Sequence, residues 1–362
     1  MKIGIFDPYL DDLGGGEKYM MTIATLLSKE NDVDVFWESQ TDLDKLVERF
    51  SLDTSRLKLV PNIFSPKVSF SKRFSESKKY DRIIILSDGS IPVISSKLFI
   101  HFQQPFPNIK RNLKNELKKK KVSAFFVNSL FTKKFIDKEF GIDSKVIYPP
   151  VDLKPKKIKK ENIILNVGRF RVRDVTIEKN GIKTPVGDYK KQAVMVRVFK
   201  EMVDSGFKNW KLVIAASVNE SENDIFEEFK KQAEDYPIEF LVNKKNDDLW
   251  EIYSKAKIYW HASGYGEDLE MHPEYAEHFG ISTVEAMGAG VVPIVINAGG
   301  QKEIVTEGIN GFLWDSLEDL KNKTLKLAKD EDLLNNLSKK AQLTSLRFSY
   351  TEFNKKINEL IR

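Results

Sequence analysis

The feature that most limits how this chain can fold is an alternation. Short, wholly apolar runs recur between longer stretches of helical periodicity, and about halfway along the series begins again. In the first half the runs are KIGIF, VDVFW, RIIILSD, LFIHF and AFFVNS, with the helical stretch EKYMMTIATLLSKE and a polar helix around 41–50 between the earliest of them. In the second half they are IILNVGRF at 163–170, KLVIAAS at 211–217, EFLVN at 239–243, IYWHAS at 258–263 and VVPIVIN at 291–297. Helical periodicity falls near 190–204, 223–235, 246–255 and 281–289. Runs that are apolar throughout read as strands buried on both faces, and intervening helices carry the chain back over the sheet, which makes it parallel.

The two series predict an α/β chain with two Rossmann-like domains, and two domains imply a cleft. The length of 362 residues agrees, since one core rarely grows past about 250–300 residues. The boundary is expected in YPPVDLKPKKIKK at 148–160, where prolines and lysines interrupt every periodicity. This gives a first domain over 1–152, a second over 153–340, and a final helical piece over 341–362 that crosses back to brace the first.

No apolar run approaches the roughly 20 residues that span a bilayer, and MKIGIFDPYL reads as the start of a strand rather than a cleavable signal. The expected location is the cytoplasm, with contact at the inner face of the membrane as an extension of it. Zero cysteines exclude disulfides, a thiol nucleophile and Cys-based metal sites. The net charge of +5 is unevenly spread: KRNLKNELKKKK at 110–121 holds seven basic residues and one acid, Glu116. The plain reading is a solvated helix face, and the functional one is docking on anionic lipid head groups. Nucleic acid is not an expected partner, because no aromatic interleaving or binding motif accompanies the charge.

Three constellations can carry chemistry. Gly14-Gly15-Gly16 follows the first strand and opens a helix at Glu17, where backbone can approach a ligand and free N–H groups face an anion. A plain tight turn accounts for it equally well, and it is neither a GxGxxG nor a Walker loop. Gly168-Arg169-Phe170 ends the first strand of the second series, and Lys190 and Lys191 start the next helix. Ligands of parallel sheets sit at the carboxyl ends of the strands, so an arginine and a lysine there can converge on phosphate. Helix phase measured from Phe199 favours Lys190 over Lys191. The third is EHFGISTVEAMGAG at 277–290, with Glu277 and Glu285 eight positions apart around Gly280. Glu277 is expected in a loop and Glu285 one turn inside a helix, where two carboxylates can grip different hydroxyls and the helix start offers unpaired N–H groups.

The Glu-x7-Glu pattern with its filling HFGISTVEAM, and the string PIVINAGGQKEIVTEGINGFLW after it, resemble the retaining glycosyltransferases of family 4, also called glycosyl transferases group 1, which have the GT-B fold of two Rossmann domains facing across a cleft. Looser matches run through the first half in the family's order: GGGEKY, HFQQPFP at 101–107, VNSLFTKKFI and VIYPPVD, followed by NVGRF and KKQ. The resemblance implies transfer of a hexosyl group from a nucleoside-diphosphate sugar to a hydroxyl of a glycan, lipid-linked or small-molecule acceptor, with no cofactor and no metal. It assigns Glu277 to donor hexose hydroxyls, Glu285 to the nucleotide ribose, Arg169 and Lys190 to the diphosphate, and Gly15 and Gly16 to positions beside the phosphates. The backbone of His278, Phe279, Gly280 and Ile281 would contact sugar and phosphate, and backbone near Val242, Asn243 and Lys244 the base. His101 stands where the family keeps an active-site histidine, although a packing role is also open to it.

RVRDVTIEKNGIKTPVGDY separates GRF from KKQ, an interval longer than usual for such a connection that suggests a mobile lid or an acceptor-side element. His261, Asp268, His272, Glu274, Glu277 and His278 crowd one region, but no HExxH or facial-triad spacing orders them, so no metal is expected. The competing functions are an epimerase or phosphorylase of the same fold, and a non-catalytic protein that binds nucleotide sugar or polyanion.

Overall fold

The computed structural model describes residues 1–12, 14–106, 113–170, 176–179, 182–185 and 190–362. They divide into two compact units, Met1–Pro150 with Tyr350–Arg362, and Val151–Ser349. The division falls inside the proline-lysine segment, whereas the stretch 341–349, grouped by sequence with the last helix, is part of the second unit.

The first unit runs β1 (Lys2–Phe6), α1 (Gly15–Leu27), β2 (Asp32–Phe36), α2 (Gln40–Phe50), β3 (Leu57–Val60), α3 (Phe70–Ser77), β4 (Arg82–Leu86), β5 (Lys97–Phe102), α4 (Leu113–Lys119), β6 (Val122–Val127), α5 (Leu130–Phe140) and β7 (Lys145–Val146). Its sheet has the order β3-β2-β1-β4-β5-β6-β7, and its pairings are parallel. The unbroken apolar runs follow from burial on both faces: Ile84 and Leu86 enter one core cluster, Ile83 and Ile85 the other. Serines at 39 and 129 start α2 and α5 by accepting the N–H of Asp42 and Thr132. The last helix of the chain, spanning Tyr350–Ile361, returns to this unit because Phe353, Ile357 and Leu360 join the cluster around Ile3, Ile5 and Tyr19.

The second unit runs β8 (Ile163–Arg169), β9 (Thr176–Lys179), β10 (Ile182–Pro185), α6 (Gln192–Asp204), β11 (Lys211–Ser217), α7 (Asn223–Lys231), β12 (Ile238–Val242), α8 (Asn246–Lys255), β13 (Ile258–His261), α9 (Ile281–Gly288), β14 (Val292–Ile296), α10 (Gln301–Ile304), β15 (Phe312–Trp314), α11 (Leu317–Lys329) and α12 (Glu331–Ser345). Its six-stranded sheet has the order β12-β11-β8-β13-β14-β15, with parallel pairings. Both sheets therefore start in the middle, build outward in one direction, then reverse, the arrangement that defines a doubly wound Rossmann unit. In the second unit the reversal falls between β8 and β13.

Within the long interval after Phe170, β9 and β10 pair as an antiparallel hairpin, Ile182 opposite Lys179 and Pro185 opposite Thr176. The long interval read from the sequence as a mobile lid or an acceptor-side element thus contains a short hairpin. Residues 171–175, 180–181 and 186–189, on which the idea of a mobile lid also rests, lie outside the described residues.

Candidate functional site

In a doubly wound sheet the two strands that flank the reversal diverge at their carboxyl ends and leave a crevice there. In the second unit those ends are Arg169 on β8 and His261 on β13. The next residues to reach this place are Lys190, just ahead of α6, and Glu277, in the connection between β13 and α9. The Lys190 stem runs over the end of β8: a Cβ on Gly168 would make ordinary contact with its Cγ at 3.6 Å.

Glu277 is the centre of the arrangement. Its Oε2 accepts from Lys190 Nζ at 2.7 Å and from His261 Nε2 at 3.1 Å, while among the described residues no bond is made to Oε1. Its main chain is fixed as well, because Gly300 N–H donates to the Glu277 carbonyl at 2.8 Å. The Gly299-Gly300 turn allows this contact, since a Cβ on Gly299 would come within 2.3 Å of that carbonyl oxygen and one on Gly300 within 2.4 Å of the His278 carbonyl. Burial pushes the Glu277 carboxyl up, but Lys190 and the bond from His261 outweigh it and hold the group well below the usual carboxylate range. It is an anion at neutral pH.

His261 is 3% exposed, and burial pushes its pKa down against the pull of Glu277. A carboxylate only accepts, so Nε2 carries the proton and Nδ1 the lone pair. Among the described residues that buried Nδ1 has no hydrogen-bond partner. The imidazole is thus a neutral donor to Glu277, and the charge partner is Lys190.

Glu285 lies in α9 and accepts from the buried Tyr253 hydroxyl of α8 at 2.9 Å. The helix that carries it begins at Gly280, which has φ +119 and leaves the helix start without a side-chain cap. Such an end presents N–H groups to an anion or a hydroxyl. Ser282 is anchored through its Oγ to Tyr259 at 2.7 Å, and Ile281 is the first helical residue. Lys160 steadies the far ends of both helices, donating to the carbonyls of Ala256 at 2.8 Å and Ala289 at 2.7 Å.

The other expected residues fall in two groups. Lys191 caps α6 in a left-handed conformation, φ 57, and turns its ammonium to Glu267 at 2.5 Å, so it is Lys190 that meets Glu277. His278 follows Glu277 directly, and burial pushes its imidazole down to about 4. Phe279 packs edge-on against Phe348 and serves the core. Asn243, at the end of β12 beside Val242, spends its amide on the Val218 backbone at 2.9 and 3.1 Å. In the first unit, Gly15 and Gly16 open α1, and Gly14 N–H donates to Glu17.

His101 does not belong to a comparable cluster. Its ring is fully buried and lies against the rings of Tyr19 and Phe126, with centroids 4.3 and 4.6 Å away. Nε2 meets Gln103 Oε1 at 2.7 Å and Nδ1 the Phe126 carbonyl at 3.2 Å, contacts that fit the packing alternative. The crowd of acids and histidines upstream of Glu277 also separates. His272 pairs with Glu274 at 3.1 Å, Asp268 accepts from the N–H groups of Glu270 and Met271, and His261 goes to Glu277. Among the described residues no group of three such side chains could hold a metal ion.

Residues 186–344 match the model of the family described as glycosyl transferases group 1. Over 83% of its length the chain is 25% identical to the GDP-Man:Man(3)GlcNAc(2)-PP-Dol alpha-1,2-mannosyltransferase of Dictyostelium discoideum, 57% of which is covered. It is 29% identical to the human protein of that name over 59% of its length, covering 42% of that protein. The chain thus spans about half the length of these curated relatives. Among solved structures, Anabaena HepE in complex with UDP superposes with a TM-score of 0.74 at 18% identity, over 100% of this chain and 99% of that one. A glycosyltransferase from Rickettsia africae gives 0.74 at 16% identity, over 100% and 98% of the two chains. Taken with the strand orders, these matches show a GT-B fold of two Rossmann-like units, in which residues 186–344 resemble the glycosyl transferases group 1 family.

Proposed function

We propose that the protein transfers a hexosyl group from a nucleoside-diphosphate sugar to a hydroxyl acceptor, with retention of configuration and without a metal. The observation that carries this reading is the ionised Glu277 at the strand reversal, held on one oxygen by Lys190 and His261 and, among the described residues, open on the other. A carboxylate with one open oxygen accepts from sugar hydroxyls, and a lysine beside it binds the leaving diphosphate. As the anomeric C–O bond breaks, the sugar becomes oxocarbenium-like and negative charge collects on the diphosphate. Lys190 and Arg169 stabilise that charge where a metal ion otherwise would. Glu285, fixed by Tyr253, is left to the ribose.

The names of the curated relatives favour GDP-mannose as donor and a lipid-linked oligosaccharide as acceptor. An acceptor of that kind brings the protein to a membrane surface. In the described part of the basic segment, α4 exposes Leu113 and Leu117, 77% and 57% accessible, one helical turn apart and next to the lysines at 118–121. This pattern suits an anionic interface. No helix among the described residues is long and apolar enough to cross a membrane.

A thermal-shift screen with GDP, GDP-mannose, UDP and UDP-glucose tests the donor reading. Selective stabilisation by GDP-mannose over GDP supports it, and product analysis with a lipid-linked acceptor separates transfer from epimerisation or phosphorolysis. Stabilisation by none of the four would contradict it. Transfer that persists in EDTA supports the metal-free reading, and flotation with phosphatidylglycerol but not phosphatidylcholine vesicles supports the membrane contact.

A further inference from the structure

Lys190 and His261 hold the same oxygen of Glu277 in different ways. Lys190 is a charged group on a flexible stem, and its ammonium is the one that an incoming diphosphate would draw away. His261 ends a strand hydrogen-bonded on both sides, β8 and β14, and its carbonyl accepts from Trp314 Nε1 at 3.1 Å. Its imidazole is 3% exposed and has no comparable freedom. An apolar side chain would fill this strand end without leaving Nδ1 buried and unpartnered, so packing alone does not account for the residue.

We propose that His261 is a positioning residue for Glu277: its Nε2–H pins Oε2, so the carboxylate keeps Oε1 turned toward the donor hexose when Lys190 moves onto the diphosphate. The proposal rests on the reading of Glu277 as the carboxylate that contacts the sugar. It assigns the sugar part of donor recognition, and not the nucleotide part, to a residue that touches no substrate. Rigid support of this kind holds a recognition group in place where a flexible partner would let it drift.

The test compares the parental protein with His261→Ala and His261→Gln, each alone and combined with Glu277→Gln. Glutamine reaches about as far as the imidazole and offers an N–H where Nε2 stood. Calorimetry with GDP and GDP-mannose, and in parallel with UDP and UDP-glucose, separates nucleotide from sugar. The expected result is a loss of about tenfold or more in affinity for the sugar donor in His261→Ala, with sugar-free nucleotide bound within about twofold of the parent. His261→Gln should recover most of the loss, and in the Glu277→Gln background His261→Ala should add less than about twofold.

Equal losses for donor and free nucleotide would overturn the proposal. So would full additivity with Glu277→Gln, or a glutamine variant no better than alanine. Those outcomes leave the glycosyltransferase reading standing, whereas a parental protein that binds neither donor would remove that reading and this proposal with it.

Discussion

Two buried histidines lie at or next to the carboxyl ends of strands, one in each unit, and their surroundings differ. His101 on β5 has an oxygen within hydrogen-bond distance of each ring nitrogen and lies against the rings of Tyr19 and Phe126. His261 on β13 donates one nitrogen to an ionised carboxylate and, among the described residues, leaves the other without a partner. The two units share a strand order, yet His261 lies on the strand beside the reversal and His101 on β5, one strand further out. Their bonding differs as well: His101 meets an oxygen at each ring nitrogen, whereas His261 is turned toward an anion with bonding capacity to spare, as suits a site.

The largest effect that can break this comparison is on Lys190, the cation that shares Glu277 with His261. Lys190→Ala is expected to lower the transfer rate by about two to three powers of ten, or roughly 3–4 kcal/mol of barrier, by analogy with the loss of one oxyanion donor. Steady-state rates with a saturating donor measure it, and a parental rate would remove Lys190 from the chemistry.

The next effect concerns stability and belongs to His101. Burial pushes its pKa from 6.5 down to about 4, so the unfolded chain binds the proton more readily between those values. The stability contributed by the neutral ring is complete above pH 6.5 and is lost as pH falls toward 4. His101→Phe keeps the aromatic stack and cannot titrate. Urea unfolding at pH 7 and 4.5 should show the variant losing about 2–3 kcal/mol less than the parent over that interval. Identical pH slopes would mean that His101 is not held neutral by the fold.

The smallest effect is at Glu285. Tyr253→Phe removes the hydroxyl that orients this carboxylate and should weaken binding of the free nucleoside diphosphate by about fivefold, near 1 kcal/mol. Unchanged affinity in calorimetry would detach Glu285 from the nucleotide.

Much of the architecture was legible in the sequence because its signals are local. Runs such as RIIILSD and KLVIAAS are apolar throughout since both faces of each sheet are covered, and Gly280 marks the loop-to-helix entry of α9 through its positive φ. The short β3, with half-exposed residues and its place at the sheet edge, carries no such run. The hairpin of β9 and β10 was missed although Asn180-Gly181, a favoured hairpin pair, stands between its strands. Helix phase favours Lys190 over Lys191, and in the structure Lys190 pairs with Glu277 while Lys191 turns to Glu267.

The part played by His261 was not legible in the same way. It depends on β13 lying against β8, a pairing between residues about ninety positions apart that no periodicity encodes. One signal was available: His261 stands at the carboxyl end of the apolar run IYWHAS, where parallel sheets keep their ligands. Its nearness in sequence to Asp268, His272 and Glu274 drew attention to metal binding instead. In space those residues bond to their own turn and leave His261 to Glu277.

The central claim is that Glu277 recognises the sugar of a nucleoside-diphosphate donor bound at the strand reversal of the second unit. Calorimetry of Glu277→Gln against GDP and GDP-mannose tests it most directly. The account predicts that GDP binds the variant about as well as it binds the parent, while the extra affinity of GDP-mannose is lost. A variant that binds GDP-mannose with the parental advantage over GDP would contradict it.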